Sequence, residues 1–277
     1  MIKSYLINLD RSEGRLKRFE GIARNLGLIV VRIPAVDGSK FSPAELEKYA
    51  NPAPRFGQLG PGEIGCFLSH RKVWEAILQN GDEWAAVFED DVYLSRDTTR
   101  LLLDDSWIPP GVDIVKLETT RIPVSLGSIE GEVRFTEVPR KLYPLLSPHG
   151  GAGGYLISRK AARDLLNDPE TVKDPVDEYM FNPVSPVFAK MRILQMTPAI
   201  CIQHVILTDD RSDKSLNSTI QDERDEKWEK EWRRNKPKGF VKLWREVSRP
   251  FKQTAKYLIS RFQVAGVRSS GGYVEYK

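Results

Sequence analysis

The chain has 277 residues, of which 40% are hydrophobic and 29% charged, a composition that supports one substantial core. No stretch approaches the ~18 uninterrupted apolar residues of a transmembrane helix. The opening MIKSYLINLD lacks the apolar core of a signal peptide, so a cytoplasmic protein is expected. Cys66 and Cys201 stand in apolar surroundings and read as small buried hydrophobes rather than a disulfide framework or zinc finger. The net charge of +4 conceals an asymmetry: from Arg224 onward 15 Lys or Arg face 6 Asp or Glu, which leaves −5 on the preceding part. A basic tail joined to an acidic body suggests that the tail meets something anionic. Nucleic acid is disfavoured, because the body would repel it and no recognition module appears.

YLINLD reads as a strand, and the helical spacing of Leu16, Phe19, Ile22, Ala23 and Leu26, stopped by Gly27, predicts a helix after it. IVVRIPAVDG supplies the next strand, so the opening unit is βαβ and implies parallel pairing. A Pro- and Gly-bearing connector leads into IGCFLSHRKVWEAILQNG, whose apolar face predicts a second long helix. AAVFEDDVYL follows, a buried strand ending in Glu89, Asp90 and Asp91. VDIVKLE and GGYLISR read as strands, KAARDLLND as a helix, and ILQMTPAICIQHV as strand material ending at His204. In open α/β sheets ligands bind beyond the carboxyl ends of the strands, where Asp10, Asp37 and the Glu89–Asp90–Asp91 run all fall.

Three consecutive carboxylates repel. At ~4 Å each pair costs about 4 kcal/mol at an effective dielectric of 20, so the run needs solvation, a basic partner or a bound cation. Strand-end carboxylates hold Mg²⁺ or Mn²⁺ through hard oxygen ligands, and His204 beside them suits Mn²⁺; a solvated loop is the competing reading. The glycines of PHGGAGGYLIS permit close backbone approach to a ligand or form a sharp bend. They match neither a phosphate loop nor a dinucleotide fingerprint. In DPVDEYMF, Asp177 and Glu178 either supply a general base or simply favour a helix start. Ser69 and His70 face the same site or are satisfied polar residues at a buried helix end.

YLINLDRSEGR, PAVDG, GEIGCFLSHRKVWEAIL, AAVFEDDV, GGYLISRKAA and PVDEYM, in this order and spacing, resemble glycosyltransferase family 25, the lipopolysaccharide and lipooligosaccharide galactosyltransferase group. The resemblance covers roughly residues 1–210. It implies a GT-A-like, Rossmann-type mixed sheet flanked by helices, transfer of galactose from UDP-galactose to a glycan acceptor, and Mn²⁺ or Mg²⁺ as cofactor. By the same resemblance Asp91 and His204 hold the metal, and Glu89 and Asp90 read ribose and phosphates. Asn8, Asp10, Arg15 and Asp37 line the nucleotide pocket, with Ser69 and His70 beside the donor. Asp177, with Glu178 as its substitute, removes the acceptor proton in an inverting step.

The reading divides the chain into a transferase domain, residues 1–222, and a basic helical extension, residues 223–277. Within the extension, Phe240, Trp244, Val247, Phe251, Ala255, Leu258 and Phe262 recur at helical intervals among Lys242, Arg245, Arg249, Lys252, Lys256 and Arg261. This is a basic amphipathic pattern, broken near Pro250, that predicts contact with an anionic membrane surface through residues 240–262. The expected location is the inner face of a bacterial cytoplasmic membrane, the enzyme being peripheral there. Packing of that stripe on the body is the alternative. Two other function classes stay open: a metal-dependent phosphohydrolase or nucleotidyltransferase, and a non-catalytic membrane adaptor.

Overall fold

The computed structural model describes residues 1–169, 172–208 and 270–277. Strand β1 (Lys3–Asn8), helix α1 (Glu13–Leu26) and strand β2 (Val30–Pro34) form the expected βαβ unit. A short helix α2 (Pro43–Glu47) and the long helix α3 (Pro61–Asn80) lead to β3 (Trp84–Glu89), which pairs in parallel with β1 as β2 does on its other side. Beyond lie β4 (Val92–Leu94), α4 (Thr98–Leu101), β5 (Ile114–Lys116), β6 (Glu118–Thr119), β7 (Val124–Leu126), β8 (Gly131–Val133) and β9 (Arg140–Pro144). They are followed by β10 (Gly154–Ser158), α5 (Arg159–Asn167), α6 (Val176–Phe181), β11 (Ile193–Thr197), β12 (Cys201–Gln203), α7 (His204–Thr208) and β13 (Ser270–Gly272).

The main sheet runs β2-β1-β3-β10-β5-β11-β9-β8, and β10 lies antiparallel to both β3 and β5, so the sheet is mixed. Its alternation divides the core into two layers. Tyr5, Ile7, Val87, Ile114, Tyr155 and Ile157 face α3, α5 and α6, whereas Leu6, Phe88, Val115, Leu156 and Leu194 face α1. Phe19 of α1 meets Phe88 at 6.2 Å between ring centroids, which seats the helix over the end of β3. A smaller sheet, β4-β12-β6, continues past the carboxyl end of β3.

Two glycines fix the loop after β2. A Cβ on Gly38 would lie 1.8 Å from the carbonyl oxygen of Pro61, and one on Gly65 would lie 2.6 Å from that of Val36. Only residues without a side chain allow this approach, which presses residues 36–38 onto the first turns of α3. The contact is pinned by Ser69, whose Oγ accepts the Val36 N–H at 2.8 Å and donates to the Gly65 carbonyl at 2.6 Å. Asp37 and the Cys66–His70 turn are thereby held together.

Residues 270–277, assigned by sequence to the extension, pack on the body. Strand β13 pairs with β7, Thr119 donates to the Val274 carbonyl at 2.6 Å, and buried Arg140 donates to the Lys277 carbonyl at 2.8 Å. The amphipathic stretch 240–262 lies outside the described residues. Among those described, no helix is long and apolar enough to cross a membrane.

Candidate active site

A cleft opens over the carboxyl ends of β1, β2 and β3, lined among others by Asn8, Arg11, Arg15, Asp37, Ser39, Cys66, Glu89, Asp90 and Asp91. The three consecutive acids have three different environments. Asp90 is neutralised by ordinary means: Asn8 Nδ2 donates to it at 2.7 Å and Arg15 at 3.3 Å. Asn8 is itself held by Arg32 Nε, which donates to its side-chain oxygen at 2.9 Å. Glu89 turns toward α3, where Oε1 lies 3.2 Å from His70 Nε2 and accepts from the Cys66 thiol at 3.8 Å. Burial and then the Asp90 charge push its carboxyl up to about 7. Asp91 is buried, and its Oδ1 has no hydrogen-bond partner. Burial and the Glu89 and Asp90 charges hold it well above the usual carboxylate range.

His204 follows β12 and stands beside Asp91, its backbone N–H donating to the Asp91 carbonyl at 2.8 Å. Its Nδ1 lies 3.2 Å from the Tyr93 hydroxyl, the two rings stack, and Arg18 covers the Tyr93 ring at 4.6 Å. The imidazole is thus oriented while Nε2 is buried and unpartnered. Two adjacent residues therefore each present an unsatisfied buried ligand atom, one carboxylate oxygen and one imidazole nitrogen. Acids predominate around it: Glu89, Asp90 and Glu118 oppose ionisation of Asp91, whereas Arg15 favours it. Oxygen and imidazole donors in an acidic setting fit Mn²⁺ or Mg²⁺, and a divalent cation would reverse the upward shift of Asp91.

Behind the cleft, and outside its lining, lies a buried group that the sequence does not single out. Lys116 and Glu118 are fully buried and paired at 2.9 Å, with Lys116 4.2 Å over the Phe181 ring. Lys116 also donates to the Gly151 carbonyl, and Gly153 N–H donates to Glu118 Oε2 at 2.9 Å, so the pair carries the glycine loop. Gly151 has φ +79°, and a Cβ there would meet Glu118 at 2.8 Å. Its N–H donates to Asp177 Oδ2 at 3.0 Å, which ties the start of α6 to the same loop. Asp177 lies within electrostatic reach of Glu89 and His70. Glu178 is turned along its own helix, where Asn182 donates to it at 2.6 Å.

Other sequence-derived candidates fall differently. Asp10 is exposed, ion-paired with Arg32 at 2.6 Å, and absent from the cleft lining; its neighbour Arg11 takes that place. The reason is the end of β1 at Asn8, after which the chain turns and Asp10 points to solvent. Asp37 lines the cleft, but Arg11 and the Ser39 N–H and hydroxyl engage it and lower its carboxyl to about 2. Ser69 and His70 are buried; Ser69 serves the loop clamp, and His70 reaches the cleft through Glu89. Burial and then Lys116 lower His70 to about 3, so it is neutral. Cys201 is a buried free thiol as expected, whereas Cys66 is only half-buried and lines the cleft.

A mixed α/β sheet with acids and arginines gathered at its strand ends is the arrangement in which open α/β folds place their ligand sites. The family model for glycosyltransferase family 25, described as an LPS biosynthesis protein, matches residues 1–180, and the chain belongs to that family. It is 34% identical over 219 residues to the lacto-N-neotetraose biosynthesis glycosyltransferase LgtB of Neisseria gonorrhoeae, covering 74% of this chain and 76% of the relative. A putative glycosyltransferase of Haemophilus influenzae is 31% identical over 61% of this chain and 57% of its own length. The lipooligosaccharide biosynthesis protein lex-1 of the same organism is 33% identical over 60% and 56%. A solved glycosyltransferase involved in glycosylation of the major capsid of PBCV-1 aligns with a TM-score of 0.40 at 10% identity, over 78% of this chain and 98% of that one.

Proposed function

We propose that this glycosyltransferase moves galactose from UDP-galactose to a lipooligosaccharide-type glycan acceptor, with Mn²⁺ or Mg²⁺ and with inversion at the anomeric carbon. The observation that carries the reading is the pair of unsatisfied buried ligand atoms, Asp91 Oδ1 and His204 Nε2, at the carboxyl end of β3. The relatives, a lacto-N-neotetraose biosynthesis glycosyltransferase and a lipooligosaccharide biosynthesis protein, support the acceptor class. Family membership favours transfer over the phosphohydrolase and adaptor alternatives.

In this reading the nucleotide lies across the ends of β1, β2 and β3, with Arg11 and Arg15 toward its phosphates and Asp90, fixed by Asn8, toward its ribose. A cation held by Asp91 and His204 would supply charge neutralisation for the leaving diphosphate. Asp177, with its Oδ2 fixed by the Gly151 N–H, takes the proton of the attacking acceptor hydroxyl as the new bond forms. The full chain with lipooligosaccharide acceptor and Mn²⁺ should release UDP from UDP-galactose faster than from UDP-glucose or UDP-N-acetylglucosamine, and the product linkage should be β. No UDP release from any UDP-sugar with either cation would overturn the reading.

The same reading places the enzyme on the inner face of the cytoplasmic membrane through residues 240–262. Truncation after Gly239 is a poor test, because it also removes residues 270–277, which complete the body. Replacing Lys242, Arg245, Arg249, Lys252, Lys256 and Arg261 with Gln should abolish binding to anionic vesicles, at about 1 kcal/mol for each residue near the surface. Sedimentation with vesicles equal to that of the parent chain would refute membrane contact.

A further inference from the structure

We infer that the turn Cys66–His70 of α3, together with Glu89, is a second metal site, selective for a soft divalent ion such as Zn²⁺ and distinct from the Asp91–His204 pair. Among the described residues it is the one His, Cys, Asp and Glu trio whose ligand atoms all lie within 4.8 Å of one another. Cys66 and His70 are four apart on the helix and so project from one face, one turn above the other. Glu89 meets them from the end of β3.

The spacings are those of ligands around a tetrahedral ion. With Zn–N and Zn–O near 2.0 Å and Zn–S near 2.3 Å, tetrahedral angles put nitrogen and oxygen about 3.3 Å apart and sulfur and oxygen about 3.5 Å apart. His70 Nε2 and Glu89 Oε1 are 3.2 Å apart, and Cys66 Sγ and Glu89 Oε1 are 3.8 Å apart. Thiolate, imidazole and carboxylate together suit Zn²⁺ rather than Mg²⁺ or Mn²⁺, since sulfur is too soft for the harder ions. Three protein ligands leave a fourth position toward the cleft, which Cys66 and Glu89 both line.

The residues behind the imidazole complete the site. Trp74 Nε1 donates to the Tyr155 oxygen at 3.1 Å, and Tyr155 lies 2.8 Å from His70 Nδ1. The Tyr155 oxygen has a second lone pair, so it can also accept from His70 Nδ1–H, which turns the Nε2 lone pair toward an ion. On binding, the Cys66 thiol loses its proton to solvent and the sulfur bonds to the metal. The Nε2 proton of His70 likewise leaves to solvent, as Nδ1 takes one up to donate to Tyr155. An ion there ties up Glu89 at the cleft wall, so Zn²⁺ should compete with the sugar donor. That consequence rests on the function proposed above; the binding does not.

Co²⁺ titrated into the full chain without thiol reductant provides the test. A thiolate-to-cobalt charge-transfer band should appear in the near ultraviolet at one equivalent, disappear as Zn²⁺ is added, and persist in Cys201→Ala. The Asp91–His204 pair contains no sulfur and gives no such band. Cys66→Ser should lose the band and weaken Zn²⁺ binding at least about tenfold by calorimetry; Cys66→Ala serves in its place if circular dichroism shows that the serine variant is misfolded. Absence of the band at excess Co²⁺, or its retention in a folded Cys66 variant, would overturn the site even if the chain transfers sugar. Conversely, a band in a chain without transferase activity would uphold the site and leave only the competition with donor in error.

Discussion

Asp91→Asn is expected to lower sugar transfer by about 10³-fold, equivalent to about 4 kcal/mol of transition-state stabilisation, while leaving the fold intact. The amide keeps the shape of the carboxylate but is a poor cation ligand. Stability should stay level or rise. Asp91 is buried beside Glu89 and Asp90, its Oδ1 has no partner, and those charges oppose its ionisation; a neutral side chain relieves that conflict. Initial rates at saturating UDP-galactose and Mn²⁺, read with a thermal melt, decide the matter. Transfer within threefold of the parent would remove Asp91 from the mechanism, and a collapsed melting temperature would assign it a structural role instead.

Lys116→Met carries the largest expected effect on stability, a loss of about 3–5 kcal/mol. The ammonium is fully buried, it is paired with Glu118 at 2.9 Å, and its removal leaves a carboxylate whose Oε1 already has no partner. Burial, and to a smaller extent the Glu89 charge, pushes Glu118 upward, and Lys116 is the first group opposing that. Lys116→Met combined with Glu118→Gln should recover more than half of the loss, because the orphaned charge is then gone. Urea denaturation of the single and double variants measures this. A loss below about 1 kcal/mol for the single variant would mean that the pair contributes little beyond packing.

The βαβ opening was legible because the apolar positions of α1 repeat at helical spacing and the flanking strands carry short apolar, β-branched or aromatic stretches, Tyr5, Leu6 and Ile7 in one and Val30 and Val31 in the other. The acidic end of β3 was legible as a site because three adjacent like charges demand an explanation. What separates the three acids was not, since their partners Arg15, His70 and Asn8 come from other elements. Asp10 was misplaced by two residues of strand end, the distance over which a chain leaving a sheet turns its side chain from cleft to solvent. Lys116 and Glu118 were missed for a different reason. In IVKLE, alternation reads as polar residues facing water, whereas β10 and β11 flank β5 on both sides and the glycine loop closes over it. Burial of that kind is a property of the assembled sheet, and the nearest local signal was the glycine run itself. The tie between Ser69 and Val36 likewise needs two elements to be visible.

The antiparallel position of β10, between β3 and β5, governs the order in which the protein can fold. Loop-closure entropy makes pairings between distant segments slow. β10 pairs with β5 across 39 positions (Lys116 to Tyr155) and with β3 across 66 (Phe88 to Gly154), whereas β1 pairs with β3 across 82 (Lys3 to Ala85). The β10–β5 pairing therefore closes the shortest loop of the three, and β3 can join it from the other side of β10 before β1 arrives. Asn8 and Arg15 reach Asp90 only when the longest of these loops has closed, so the side of the cleft that carries them is completed late in folding.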